Sequence, residues 1–200
     1  MALNLFGVTV NDAHSAQARL PDVEIVAVRD LAAICRQVEY RAIAPGEESV
    51  RAHSEVIAAY AATGPILPAP VGVIFRSADS VKRWLELHLS TLSDALTFVE
   101  NRVGGRVHVW ANASGEDTGE FTTRASESLR VLRRSAVATL PLAPSVMPGA
   151  LMSAAFLVEQ ELWKDFAAEV EAQARVSSPL RFDVSGPFPP YDFVQMQLGA

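Results

Sequence analysis

The chain has 200 residues, half of them apolar and 20% charged, with 17 basic and 23 acidic side chains giving a net charge of −6. That is enough chain for one large domain or two of about 100 residues each. The acidic balance argues against a sequence-independent nucleic-acid binder, which needs a concentrated positive face. The single cysteine, Cys35, excludes an internal disulfide and a cysteine-rich metal site, and it fits a reducing cytoplasm.

The start, Met1 to Val10, lacks a basic segment ahead of its apolar run, so no signal peptide is expected. Val56 to Phe75 is uncharged over a membrane-spanning length, but Gly64, Pro65, Pro68, Pro70 and Gly72 interrupt it. Prolines remove backbone donors and fix φ, so the segment reads as a helix end, a turn and a buried strand, and no membrane span is expected.

In chain order, Leu3 to Val10 and Val23 to Val28 read as buried strands. Leu31, Ile34, Cys35 and Val38 stand at helical spacing behind Asp30, which predicts a short helix capped by that carboxylate. After the Pro45-Gly46 break, Val50, His53, Ile57, Tyr60 and Ala61 mark one face of a helix ending at Gly64-Pro65. Val71 to Phe75 reads as a strand. One long helix then opens at Ser77 or Asp79 and runs through Val81, Leu85, Leu89, Leu92, Leu96 and Val99.

Gly104-Gly105 reads as a boundary, dividing the chain into domains 1–103 and 104–200. Beyond it come a strand Arg106 to Trp110, a polar loop Asn112 to Gly119 and a helix from about Gly119 to Ala138. The proline-containing stretch Leu140 to Gly149 reads as a loop. A strand Leu151 to Val158, a helix carrying Leu162, Phe166, Val170 and Ala174, and a strand Leu180 to Val184 follow. The expected class is α+β: two small domains, each a ferredoxin-like antiparallel sheet with helices on one face, the first in modified form.

The search for chemistry finds no catalytic set. The four histidines are scattered, and His53 on an apolar helix seam reads as a hydrogen-bonded core residue. There is no dinucleotide loop, no nucleophile elbow and no Walker lysine. Cys35 reads as a buried thiol. No catalytic residue, cofactor or metal site is therefore assigned. Arg124, Arg130, Arg133 and Arg134 stud one helix, with Glu120 and Glu127 a turn away from Arg124 and Arg130. They read as a charged helix face, with Arg130, Arg133 and Arg134 as a secondary docking surface for an acidic partner.

One segment is not generic: Gly186-Pro-Phe-Pro-Pro-Tyr-Asp-Phe-Val194. Its prolines make it an extended, polyproline-like strap, and Phe188, Tyr191 and Phe193 give it large side chains to dock. Two uses stay open: closing its own domain, or offering a rigid aromatic surface to a partner. Either way Pro187, Phe188, Pro190, Tyr191 and Phe193 are the candidate residues.

This segment resembles the "GPWPPY-x-F" motif of the gas vesicle protein F/L family (GvpF/GvpL), and four further blocks agree in order. Asp30-Leu-Ala-Ala-Ile34, His53-Ser-Glu-Val-Ile57, Leu67-Pro-Ala-Pro-Val-Gly-Val-Ile-Phe75 and Ala154-Ala-Phe-Leu-Val158 are similar to its "DLAA", "HE-x-V", "LP-x-RFG-x-xF" and "AA-LV" blocks. Together they span about residue 3 to 194. Val71 stands where the family has arginine, His108 where it has an acidic residue before Trp, and Phe188 where it has Trp; an Arg–Glu interaction of relatives cannot form through the first two positions. The resemblance implies a non-enzymatic, cytoplasmic accessory protein of gas vesicle assembly. Its partners would be the small hydrophobic shell protein and other accessory proteins, held through an apolar cleft or an open sheet edge. Two alternatives come from other classes: a ferredoxin-like sensor with a closed cleft lined by His53 or His88, and a dimeric α+β-barrel enzyme, which needs a histidine and a carboxylate in one pocket.

Overall fold

A computed structural model of the chain describes residues 1–12, 20–111, 118–194 and 196. The contacts divide it into two compact units, Met1–Asn101 with Val194–Ala200, and Arg102–Phe193.

The first unit is built on β1 (Ala2–Val10), the centre of a five-stranded antiparallel sheet. On one side β1 pairs with β3 (Leu31–Val38), which pairs in turn with the edge strand β2 (Glu24–Val28). On the other side β1 pairs with two short pieces, β4 (Ile66–Pro68) and β5 (Ile74–Phe75). The segment 31–38 is thus a strand and not the expected helix. Arg29, at φ 53°, and Asp30 form the turn of a β2–β3 hairpin, so Asp30 caps nothing. Both faces of this sheet are covered, so Leu31 to Cys35 are all buried. Such a strand shows no alternation, and its apolar spacing mimics a helix.

Two helices, α2 (Ala78–Leu87) and α3 (Leu89–Val99), cover one face. Val81, Leu85, Leu92, Leu96 and Val99 form a core there with Leu3, Leu5, Val8, Leu31 and Leu67, and Val194 and Met196 pack against it. Ser77 opens α2, its hydroxyl accepting the Ser80 N–H at 3.2 Å. The single long helix expected from the stripe breaks at His88, which leaves helical geometry at φ −107°, ψ 14°. The break sits between two in-phase stripes, so the apolar pattern passes over it. The helix α1 (Glu47–Ala61) lies over the opposite face, where the His53 ring meets Phe6 at 5.2 Å. A helix on each face is what modifies the ferredoxin-like plan here. The strand expected over Val71 to Phe75 is reduced to β5, because Pro68 and Pro70 deny donors and Gly72, at φ +86°, turns the chain between β4 and β5.

The second unit runs β6 (Arg102–Ala111), α4 (Thr118–Leu132), β7 (Ala138–Pro141), β8 (Met152–Glu159), α5 (Trp163–Val176) and β9 (Leu180–Phe188). Its strand order β7-β8-β6-β9 and βαββαβ succession are those of a ferredoxin-like sheet. Both helices lie on one face, where Phe121, Ala125, Leu129, Leu132, Phe166 and Val170 pack on Val107, Val109, Phe156 and Val158. The strand β7 occupies residues expected to end a helix and begin a loop; α4 stops at Leu132, and a 3₁₀ turn Arg133–Ser135 leads out. Four residues ending in proline carry too little pattern to announce a strand. Gly104 and Gly105, expected at a boundary, lie inside β6, and the first unit ends at Asn101 (φ 56°). Val194 and Met196 also pack against the core of the first unit. The loop expected over Asn112 to Gly119 lies mostly outside the described residues.

Candidate functional site

The strap is shorter and more regular than an extended polyproline segment. Its first part continues β9, with Phe188 opposite Gly104 of β6. After Pro189 and the buried Pro190, a 3₁₀ turn spans Tyr191–Phe193, with the Phe193 N–H donating to the Pro190 carbonyl at 3.0 Å. Phe188, Tyr191 and Phe193 are half-buried and Pro187 is exposed.

Three glycines make this path possible. A Cβ on Gly104 would lie 3.3 Å from the Pro189 carbonyl oxygen, and one on Gly105 would overlap the Trp163 ring. Gly186, at φ +136°, is in a region open to glycine, and its missing Cβ also leaves room for Trp163. The Trp163 indole therefore lies against two glycines from neighbouring strands, and its ring meets Phe166 at 5.7 Å.

The strap is fastened by a two-pronged ion pair. Arg106 of β6 donates from Nε to Asp192 Oδ2 and from a terminal nitrogen to Oδ1, both at 2.8 Å. These bonds hold the guanidinium pKa above its ordinary value, against the opposing effect of burial. Two residues along β6, the buried His108 has Nδ1 at 2.8 Å from the Ser153 hydroxyl. Burial lowers its pKa, with Asp183 acting to raise it and Arg106 to lower it. On the same strand face Trp110 carries the Arg181 guanidinium at 4.4 Å.

The arginine group lies elsewhere in this unit. Arg130 stands in the last turn of α4, Arg133 and Arg134 belong to the following 3₁₀ turn, and all three are exposed. A helix C-terminus favours cations, which is a sufficient physical reason for their place. The structure does not bring them to the strap, and Arg124 and Arg130 form no ion pair with Glu120 or Glu127.

In the first unit, His53 is buried, its Nε2 N–H donating to the Ala69 carbonyl at 2.8 Å. Burial lowers its pKa, which the bond to Ala69 partly offsets. The Cys35 thiol is fully buried and pushed up to about 12 by burial, with the Glu24 carboxylate adding to the effect. Among the described residues, open concavities beside the sheet are lined by groups such as Val10, Asp30 and Ser93, or Asp22, Glu24 and Gln37, or Leu3, Ser77 and Asp79. None of them is lined by His53 or His88. Among the described residues no group of three His, Cys, Asp or Glu could hold a metal ion, and no helix is long and apolar enough to cross a membrane.

The arrangement is that of a two-unit α+β protein with a strap clamped onto β6 by Arg106 and Asp192. The family model of the gas vesicle synthesis protein GvpL/GvpF matches residues 4–136 and 116–195, and the chain belongs to that family. Gas vesicle protein F2 of Halobacterium salinarum is 28% identical over 179 residues, covering 88% of this chain and 81% of the relative. The fold is also that of two crystal structures. The gas vesicle protein GvpF from Anabaena sp. PCC7120 superposes with a TM-score of 0.83 at 16% identity, covering 98% of this chain and 97% of that one. GvpF from Microcystis aeruginosa gives 0.76 at 15% identity, covering 98% and 99%.

Sequence reasoning singled out the strap but missed what holds it. Arg106 stands 86 residues before Asp192, and Trp163 stands far from both glycines in the chain. The one available signal was the pair of consecutive glycines in an otherwise β-branched run, which marks close approach as readily as a boundary.

Proposed function

We propose that this chain is a non-enzymatic assembly factor that holds the small hydrophobic shell subunit of the gas vesicle before it joins the wall. Membership of the gas vesicle synthesis family over residues 4–195 carries this reading. The chemistry of the side chains supports it. The only cysteine is buried with a raised pKa, and His53 is committed to a backbone carbonyl inside the first unit. Holding an aggregation-prone subunit needs surface and stoichiometry, not turnover, because binding it lowers the concentration free to self-associate.

In this reading the two units are separate domains. Pro187, Phe188, Pro190, Tyr191 and Phe193 close the second one, with Arg106 fastening the closure. Arg130, Arg133 and Arg134 form a secondary surface for acidic accessory proteins of the assembly. Co-expression of the full chain with a tagged shell subunit tests the proposal. The expected result is that the two co-purify and that more shell subunit stays in solution; no co-purification and no gain in solubility would overturn it.

A further inference from the structure

The structure contains four sheet edges among its described residues, and three of them carry proline or charge of both signs. The β4/β5 edge carries Pro68 and Pro70, β7 is four residues long and ends in Pro141, and β9 bears Arg181 and Asp183 ahead of Pro187. Proline on an edge removes a donor that another chain could use, and proteins blunt edges in this way. The remaining edge, β2, reads Glu24-Ile-Val-Ala-Val28 and has no proline, lysine or arginine. Its one charge, Glu24, is occupied in accepting the Gln37 side-chain N–H at 3.0 Å.

The direction of each backbone group on β2 follows from the hairpin. With Arg29 and Asp30 as a two-residue turn, Val28 and Leu31 are the closing hydrogen-bonded pair. Alternation then turns Glu24, Val26 and Val28 toward β3, and turns the N–H and C=O groups of Ile25 and Ala27 outward. The far side of β3 agrees: Asn11 donates to the Asp30 carbonyl at 2.7 Å, so even-numbered residues there face β1. Ile25 is 37% exposed and Ala27 is exposed, while Val26 is buried. Four backbone groups and an apolar flank are thus presented together.

The chemistry at one end of the edge limits the occupant. Concavities of about 480 and 330 Å³ open beside Glu24 and Gln37, and the carboxylates of Asp22, Glu24 and Asp79 line them. These three carboxylates outnumber the cations beside them, the Arg36 guanidinium, which lies over the Phe6 ring at 5.2 Å, and the Met1 amino group. A basic side chain at that end is therefore matched in charge.

We propose that β2 is the docking edge for the shell subunit, which adds an extended apolar segment as a further strand beside Ile25 and Ala27 and places a basic residue near Asp22 and Glu24. This rests on the holding role proposed above. Main-chain hydrogen bonds give such an interaction its affinity and the flanking side chains its selectivity.

The test uses the full chain and a tagged shell subunit, comparing wild type with Ala27→Pro and Ile25→Lys. Proline at 27 removes an outward donor and leaves the β3 ladder intact, and lysine at 25 guards the edge. The expected result is at least a tenfold drop in shell subunit retained per chain for both variants, with melting temperatures near wild type and full retention by Ile25→Val. If Ala27→Pro does not fold, Ile25→Lys decides in the same way. Undiminished retention by the folded variants overturns the edge while the holding role stands. No retention by wild type overturns both. A wild-type dimer in sedimentation that Ala27→Pro converts to monomer assigns the edge to a second copy and overturns the stated occupant.

Discussion

At the scale of single residues, the second unit is organised by what is missing at two glycines. Gly105 and Gly186 leave the space that the Trp163 ring fills, so a methyl group at 105 must displace the ring or the strand. Gly105→Ala is expected to cost roughly 1–3 kcal/mol, the range for overfilling a packed site. In a Trp163→Leu background the same change should cost clearly less, because the ring it displaces is gone. Equal costs in the two backgrounds, measured by urea denaturation, would contradict the cradle.

His53 gives a second expectation at this scale. Its folded-state pKa lies below the ordinary 6.5 because burial disfavours the charged ring. The unfolded chain therefore takes up the proton more readily. His53's contribution to stability is complete above about pH 6.5 and is lost as pH falls toward the lowered value. His108 acts in the same direction in the second unit. His53→Gln keeps a donor for the Ala69 carbonyl without titrating. Unfolding midpoints of this variant should fall less than those of wild type between about pH 7.5 and 5.5; identical slopes would contradict the assignment.

At the scale of elements, the strap is the part most changed by the structure. Its prolines and aromatics were plain in the sequence, but a fully extended run was expected. Instead Phe188 is held in the β9 ladder and Asp192 is placed against Arg106 by a helical turn. Phe188→Ala and Tyr191→Ala should each cost about 2 kcal/mol, less than full burial of an aromatic would give. A melting curve checks this: unchanged stability in both variants would mean the aromatics serve only an external partner.

Other elements show which signals survive in a sequence. The helices α1 and α5 and the strand β8 were readable because each has one covered face or an unbroken apolar run. The strand β3 was not, since cover on both faces removed its alternation and left Leu31, Ile34, Cys35 and Val38 at helical spacing. The break at His88 was hidden by stripes that stay in phase, and β7 by its four-residue length. The exposed edge of β2 was legible only as a strand. That it is an end strand without proline depends on pairing order, which a linear pattern does not contain.

At the scale of the whole molecule, the opening composition takes on a definite meaning. Half of the residues are apolar, and the buried part of that content gathers in two separate cores. Other apolar side chains stand exposed on both units, Ile25 and Ala27 among them on the edge strand β2. In the proposed holding role, one strand edge per chain takes one hydrophobic partner. The most direct measurement is light scattering of shell subunit diluted from denaturant into rising amounts of the full chain. The account expects aggregation to fall in proportion to added chain and to vanish near equimolar ratio. Aggregation unaffected at a several-fold excess of chain would contradict it.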